Sequence, residues 1–171
     1  MLHKFLLGFA LAGLALSANA NTDKTFHHTQ EELSQHLSMN SNSMACEALG
    51  QASMIIAMFA HEMGLSAPEN AQTLIDVLRG YMSKNPPKAT DMGELAYLSA
   101  IPYVLDNPDI VSVILKASGS AKDGDEARLQ AHRAIASPCF ATSYFPTASG
   151  KKIAAWDAKE GILTSYASRS E

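Results

Sequence analysis

Residues 43–64, SMACEALGQASMIIAMFAHEMG, decide the fold class of this chain. Ala45, Leu49, Ala52, Ile56, Phe59 and Met63 recur at steps of three and four, the period that draws one continuous apolar stripe along a helix. Ser43 is placed to cap the start and Gly64 to stop the end. At about 100° per residue, His61 falls on the side opposite the stripe, where it is expected to be solvated.

The pair His61-Glu62 raises the question of a zinc protease. Such a site presents His-Glu-x-x-His because two histidines four apart share a helix face and reach one metal. Here the second position is Leu65, beyond the terminating glycine, so half of the motif is missing. Met54, Met58 and His61 share that outer face, and Met58-x-x-His61 is a spacing able to hold a soft ion such as Cu(I) or Ag(I). His36-x-x-Met39 is the same pair in mirror order. His28, Glu32 and His36, with His27 adjacent, would share a face and suit zinc or nickel if a helix reached back to His28. Thr29 to Glu32 (TQEE) instead reads as a capping box that starts the helix at Thr29 and runs it to about Leu37. No metal and no cofactor is therefore assigned.

Working outward, the first twenty residues combine Lys4, an apolar run from Phe5 to Leu16, and the small-x-small triplet Ala18-Asn19-Ala20. That is the pattern of a secretory signal peptide cleaved after Ala20. The run falls short of the roughly 20 apolar residues a membrane anchor needs, and no second stretch is expected to span a bilayer. The mature chain, 21–171, would carry 12 basic against 17 acidic residues, a formal charge of −5. Without a Lys/Arg cluster it is a poor ligand for nucleic acid, where phosphate neutralisation supplies most of the affinity. Anionic membrane surfaces are disfavoured for the same reason.

In an exported protein, the two cysteines, Cys46 and Cys139, read as a disulfide. Closing a loop of 93 residues stabilises the fold by about 4–5 kcal/mol on the chain-entropy account.

Beyond the core helix the punctuation stays helical. Ser66 to Glu69 (SAPE) reads as another capping box, opening a helix with Leu74, Ile75, Leu78 and Tyr81 that Asn85-Pro86-Pro87 stops. Thr90 starts a fourth helix with Leu95, Leu98, Ile101 and Leu105 inward, which Pro102 should kink or shorten. Asn107-Pro108 opens the run Ile110 to Leu115, β-branched enough to suit a buried strand but capped like a helix. Asp123 to Glu126 caps a sixth helix reaching about Ala136, with Pro138 ending it.

Residues 140–171 hold Phe140, Tyr144, Phe145, Trp156 and Tyr166, five of the twelve aromatics. Ile153 to Trp156 and Ile162 to Tyr166 flank a turn-like Asp157 to Gly161, which suggests a β-hairpin. The expectation is a mostly α chain, a single bundle of about five to six helices: signal peptide 1–20, helical domain 21–139, and an aromatic tail 140–171 folded back on the same domain. Tyr144, Phe145, Trp156 and Tyr166 are the interface candidates, being of the types favoured at binding surfaces.

Tests for other chemistry fail. Gly119 to Gly124 has the outer glycine spacing of a phosphate loop but continues into Asp125-Glu126, without the lysine that meets phosphate. No Gly-x-Ser-x-Gly elbow is present. Glu31/Glu32 and Asp125/Glu126 sit in first turns, where the helix dipole favours negative charge without any catalytic role. An enzyme would need residues distant in sequence to converge, His132 with carboxylates for example.

Two stretches, Cys46-Glu-Ala-Leu-Gly50 and Leu74-Ile-Asp-Val-Leu-Arg-Gly-Tyr-Met-Ser-Lys-Asn-Pro86, together resemble the Tai-type immunity proteins of type VI secretion. That family pairs an early helical cysteine with an amphipathic helix ending in a Tyr-Leu-x-x-Asn/His-Pro pattern. The resemblance covers about forty residues; the chain continues well past the second element, and its aromatic tail has no counterpart in the pattern. It implies a periplasmic, helical, often dimeric protein that binds and blocks a peptidoglycan-cleaving amidase. The sequence thus points to an exported binding or inhibitory protein with a protein partner. The alternatives are a soft-metal carrier using Met54, Met58 and His61, or an enzyme of unrecognised type.

Overall fold

A computed structural model describes residues 29–40 and 43–168. The expected signal peptide and the pair His27-His28 lie outside the described residues. Among these, seven α-helices and one two-stranded sheet make a mostly α chain.

Helix α1, Gln30–Ser38, starts as the capping box requires: Glu32 N–H donates to Thr29 Oγ1 (3.1 Å) and Thr29 N–H to Glu32 Oε2 (2.8 Å). Helix α2, Ser43–Glu62, is the core helix. Ala45, Leu49, Ala52, Ile56 and Phe59 of its stripe are buried, and Met63 packs partly buried against the core. By length and composition α2 is apolar enough to cross a bilayer, contrary to the sequence reading; here it is enclosed by other helices.

Gly64 takes φ +68°, the left-handed conformation glycine adopts at low cost, and ends the helix. The next start differs from expectation. Ser66 makes no cap; Pro68–Asn70 form a 3-10 turn, and helix α3, Ala71–Lys84, begins after Asn70 without a side-chain cap bond. Helix α4, Met92–Leu105, is capped by Asp91 rather than Thr90, through Asp91 Oδ1 and Glu94 N–H (2.8 Å). Pro102 lies inside its last turn, and helix α5, Pro108–Ser118, leaves at 103°. The ambiguous run Ile110 to Leu115 is therefore helical, with Pro108 in the first turn where its missing N–H is harmless.

Helix α6, Gly124–Thr142, is capped by Asp123 through Glu126 N–H (2.8 Å). It continues through Pro138, which was expected to end it, and stops at Ser143 in the left-handed region (φ 61°). Burial of Ile135, Ala136 and Cys139 on both sides of the proline outweighs the lost hydrogen bond.

The hairpin also lies elsewhere. Strand β1, Tyr144–Pro146, pairs antiparallel with β2, Lys152–Ala154, in the register Tyr144–Ala154, Phe145–Ile153 and Pro146–Lys152. The stretch read as its second strand is helix α7, Ala155–Ala167. Its Ala155, Ala158, Ile162 and Leu163 are buried at helical spacing and join the same core as α1 to α6.

The centre of the bundle is the antiparallel pair α2/α6. Cys46 bonds Cys139 with Cα atoms 5.6 Å apart, inside the ordinary range for a disulfide. Farther along, Gly50 meets Ala136 and His132, and Met58 meets Gly124. A Cβ on Gly50 would lie 2.8 Å from Ala136 Cβ, so this glycine sets how close the two helices run. Helix α4 covers α2 on one side, α5 covers α6, and α7 lies on α4, where Gly161 leaves room for the Tyr103 ring.

Candidate functional site

The disulfide fixes the end of α6 at the start of α2, and the aromatic residues cluster in sequence and topology around that end. Phe140 follows Cys139 directly and is 50% exposed; Tyr144 is 44% and Trp156 60% exposed. Ser143 turns the chain out of α6, and its carbonyl accepts the Ala155 N–H (2.9 Å), which sets the first turn of α7, with Trp156, beside the base of the hairpin. Tyr144 points outward while its neighbour Phe145, on the other face of β1, is fully buried. Phe145 is thus a core residue and is removed from the interface candidates; Tyr166 is partly buried against the core. Phe140, which the sequence reading did not nominate, takes their place. A cysteine one residue earlier was its only sequence signal.

The Met/His face is half-buried. Met54, Met58 and His61 are all of intermediate exposure, and Met58 packs toward the first turn of α6. Among the described residues no three His, Cys, Asp or Glu side chains come together as a metal set. The zinc or nickel reading of His28, Glu32 and His36 meets the Thr29 cap, which starts α1 after His28.

His36 turns instead toward a hollow of about 250 Å³ between α1, α2 and α4 that Glu47, Gln51 and Tyr97 also line. This is a convergence the sequence could only name as a requirement. Glu47 Oε1 accepts Gln51 Nε2–H (2.6 Å), and Glu47 Oε2 lies 3.4 Å from His132 Nε2 on α6. His132 therefore meets one carboxylate, with 26% and 39% of the two side chains exposed. His36 Nε2 is buried without a hydrogen-bond partner among the described residues. Burial, and then the charge of Glu94, push the Tyr97 phenol up to about 12, so it stays neutral and is no base at ordinary pH. The lining residues include no serine, threonine or cysteine, and Cys46 is held in the disulfide. A histidine-carboxylate pair of this kind can bind and orient polar groups.

The fold and surface define a disulfide-stapled helical bundle with an exposed aromatic end. The chain matches no family model, no curated protein and no solved structure.

Proposed function

We propose that this is an exported protein of the periplasm or extracellular space that binds and inhibits a protein partner, in the manner of the Tai-type immunity proteins it resembles. The observation that carries the reading is the trio Phe140, Tyr144 and Trp156, exposed at one end of the bundle. Large aromatics bury much area at low entropy cost, which is why they dominate binding hot spots. The disulfide one residue before Phe140 holds that end in place before binding, and preorganisation lowers the cost of association. The same bond fits an oxidising compartment and agrees with the signal-peptide pattern of residues 1–20.

The test is affinity capture from the native periplasm with the mature protein and with the double variant Tyr144→Ala/Trp156→Ala. One stoichiometric partner, indifferent to chelator and lost on the folded double variant, supports the proposal. A partner retained by the variant removes the aromatic end from the interface. Absence of any partner, together with Cu(I) bound by the wild type and lost in Met58→Ala, replaces the proposal with a soft-metal carrier built on Met54, Met58 and His61.

A further inference from the structure

Among the described residues two side-chain polar atoms are buried without a hydrogen bond, Gln130 Oε1 on α6 and His36 Nε2 on α1. Gln130 still donates through its Nε2 to Glu126 Oε1 (3.0 Å), whereas His36 makes no hydrogen bond at either ring nitrogen. A buried nitrogen without a partner carries a desolvation cost that a bound group can relieve. His36 lines the hollow of about 250 Å³ between α1, α2 and α4, and Met44 brings a thioether to the same hollow. On α2 the lining positions are Met44, Glu47, Ala48 and Gln51, one face of the helix at steps of three and four. The spacing His36-x-x-Met39 is broken by the end of α1: Met39 is the C-cap, in extended backbone and 55% exposed. Met44 on the next helix takes its place beside His36.

The donors left open in this hollow select what it can hold. Its oxygen groups are engaged already. Glu47 Oε1 accepts from Gln51 (2.6 Å) and Glu47 Oε2 faces His132 Nε2 (3.4 Å). The Tyr97 hydroxyl donates to Glu94 Oε1 (3.3 Å), while Glu94 Oε2 accepts the Thr90 N–H (2.7 Å) and hydroxyl (2.7 Å). An ammonium guest would therefore have to displace existing hydrogen bonds. What remains is an imidazole nitrogen and a thioether sulfur, a borderline and a soft donor. Both cysteines are bonded to each other, so no thiolate competes with that pair. Zinc takes a tetrahedral set, and no three His, Cys, Asp or Glu side chains come together among the described residues.

We propose that this hollow binds a soft monovalent cation of the Cu(I) class through His36 Nε2 and the Met44 thioether. The imidazole carries its proton on Nδ1 and offers the Nε2 lone pair; the thioether binds without losing a proton, so no group changes oxidation state on binding. Glu47 stands beside the pair as an uncoordinated carboxylate that offsets the ion's charge. A d10 monovalent ion accepts so small a donor set, and the hollow leaves room for a further donor from solvent. The site shares no residue with Phe140, Tyr144 and Trp156, nor with Met54, Met58 and His61, and stands or falls independently of both.

The experiment is a titration of the folded chain with Ag(I), a redox-inert stand-in for Cu(I), followed through the methionine methyl and histidine ring NMR signals. It is repeated anaerobically with Cu(I) against a chromophoric chelator. The first equivalent is expected to give saturable shifts at the Met44 methyl and the His36 ring, and none at Met58 or His61. Met44→Leu, close in volume, and His36→Gln should each weaken binding by about a hundredfold, while Met58→Leu leaves it unchanged. A Met44 methyl that does not move, or affinity lost in Met58→Leu rather than in Met44→Leu, overturns the site. Displacement of Ag(I) by an equal concentration of Zn(II) also overturns it, in favour of a borderline ion on His36 and Glu47. The wild-type shifts decide the matter even where a variant fails to fold.

Discussion

Along α2 and α6 a small residue stands on at least one side of each contact: Cys46 bonds Cys139, Gly50 meets Ala136 and His132, and Gly124 meets Met58, with Ser53 and Ala57 continuing the α2 face at helical spacing. Along α3 and α4 the residues lining the gap are Met82, Leu95, Leu98 and Pro102, with two prolines in the link. The first pair closes into the most extensive helix contact of the molecule; the second stands open as a groove. The separation of two packed helices depends on the side chains at the contact. Small residues let backbones approach until nothing but side-chain carbon lies between them, and a disulfide then locks the approach. Bulky residues, held apart by a stiff link, leave a groove between the helices.

The most severe way to break the closed seam is to cut the staple. The double variant Cys46→Ser/Cys139→Ser should lose about 4–5 kcal/mol, the loop-closure value for a 93-residue separation, read as a fall in denaturation midpoint that reductant reproduces in the wild type. A loss under about 1 kcal/mol would mean that packing alone holds α2 to α6. Next is Gly50→Val. Its new atoms enter space where even a Cβ lies 2.8 Å from Ala136 Cβ and 2.9 Å from His132 Cδ2, and overpacking of this kind costs about 1–3 kcal/mol. Urea unfolding measures it, and a neutral result would show that the seam can widen.

The smallest effect sharpens the contrast. Ser53→Ala removes a buried hydrogen bond and should cost about 1 kcal/mol, whereas the Ser99 hydroxyl makes no hydrogen bond among the described residues and Ser99→Ala should change stability by less than about 0.5 kcal/mol. Equal losses for the two variants would deny that the Ser99 hydroxyl lacks an internal hydrogen bond.

Much of this architecture was legible. The stripe from Ala45 to Phe59 is buried as its spacing requires, and the capping box at Thr29 and the cap at Asp123 form, while the box expected at Ser66 does not. Errors arose where tertiary contact overrode a local signal. Pro138 reads as a stop, yet α6 passes through it into the disulfide. Gly161 reads as a turn, yet it lies within α7, where the missing Cβ makes room for the Tyr103 ring. Phe145 and Tyr144 read alike as exposed aromatics, but strand alternation sends them to opposite faces.

The sequence by itself determined the helical class, the cysteine pair and the caps at Thr29 and Asp123, because helix periodicity, a cysteine count of two and i to i+3 capping are properties of short stretches or of composition. Only the tertiary structure decided that His132 meets Glu47, that Phe140 shares an exposed end with Tyr144 and Trp156, and that α3 and α4 stand apart. Those outcomes depend on which side chains face one another across the core, and facing is fixed by the packing of all the helices at once.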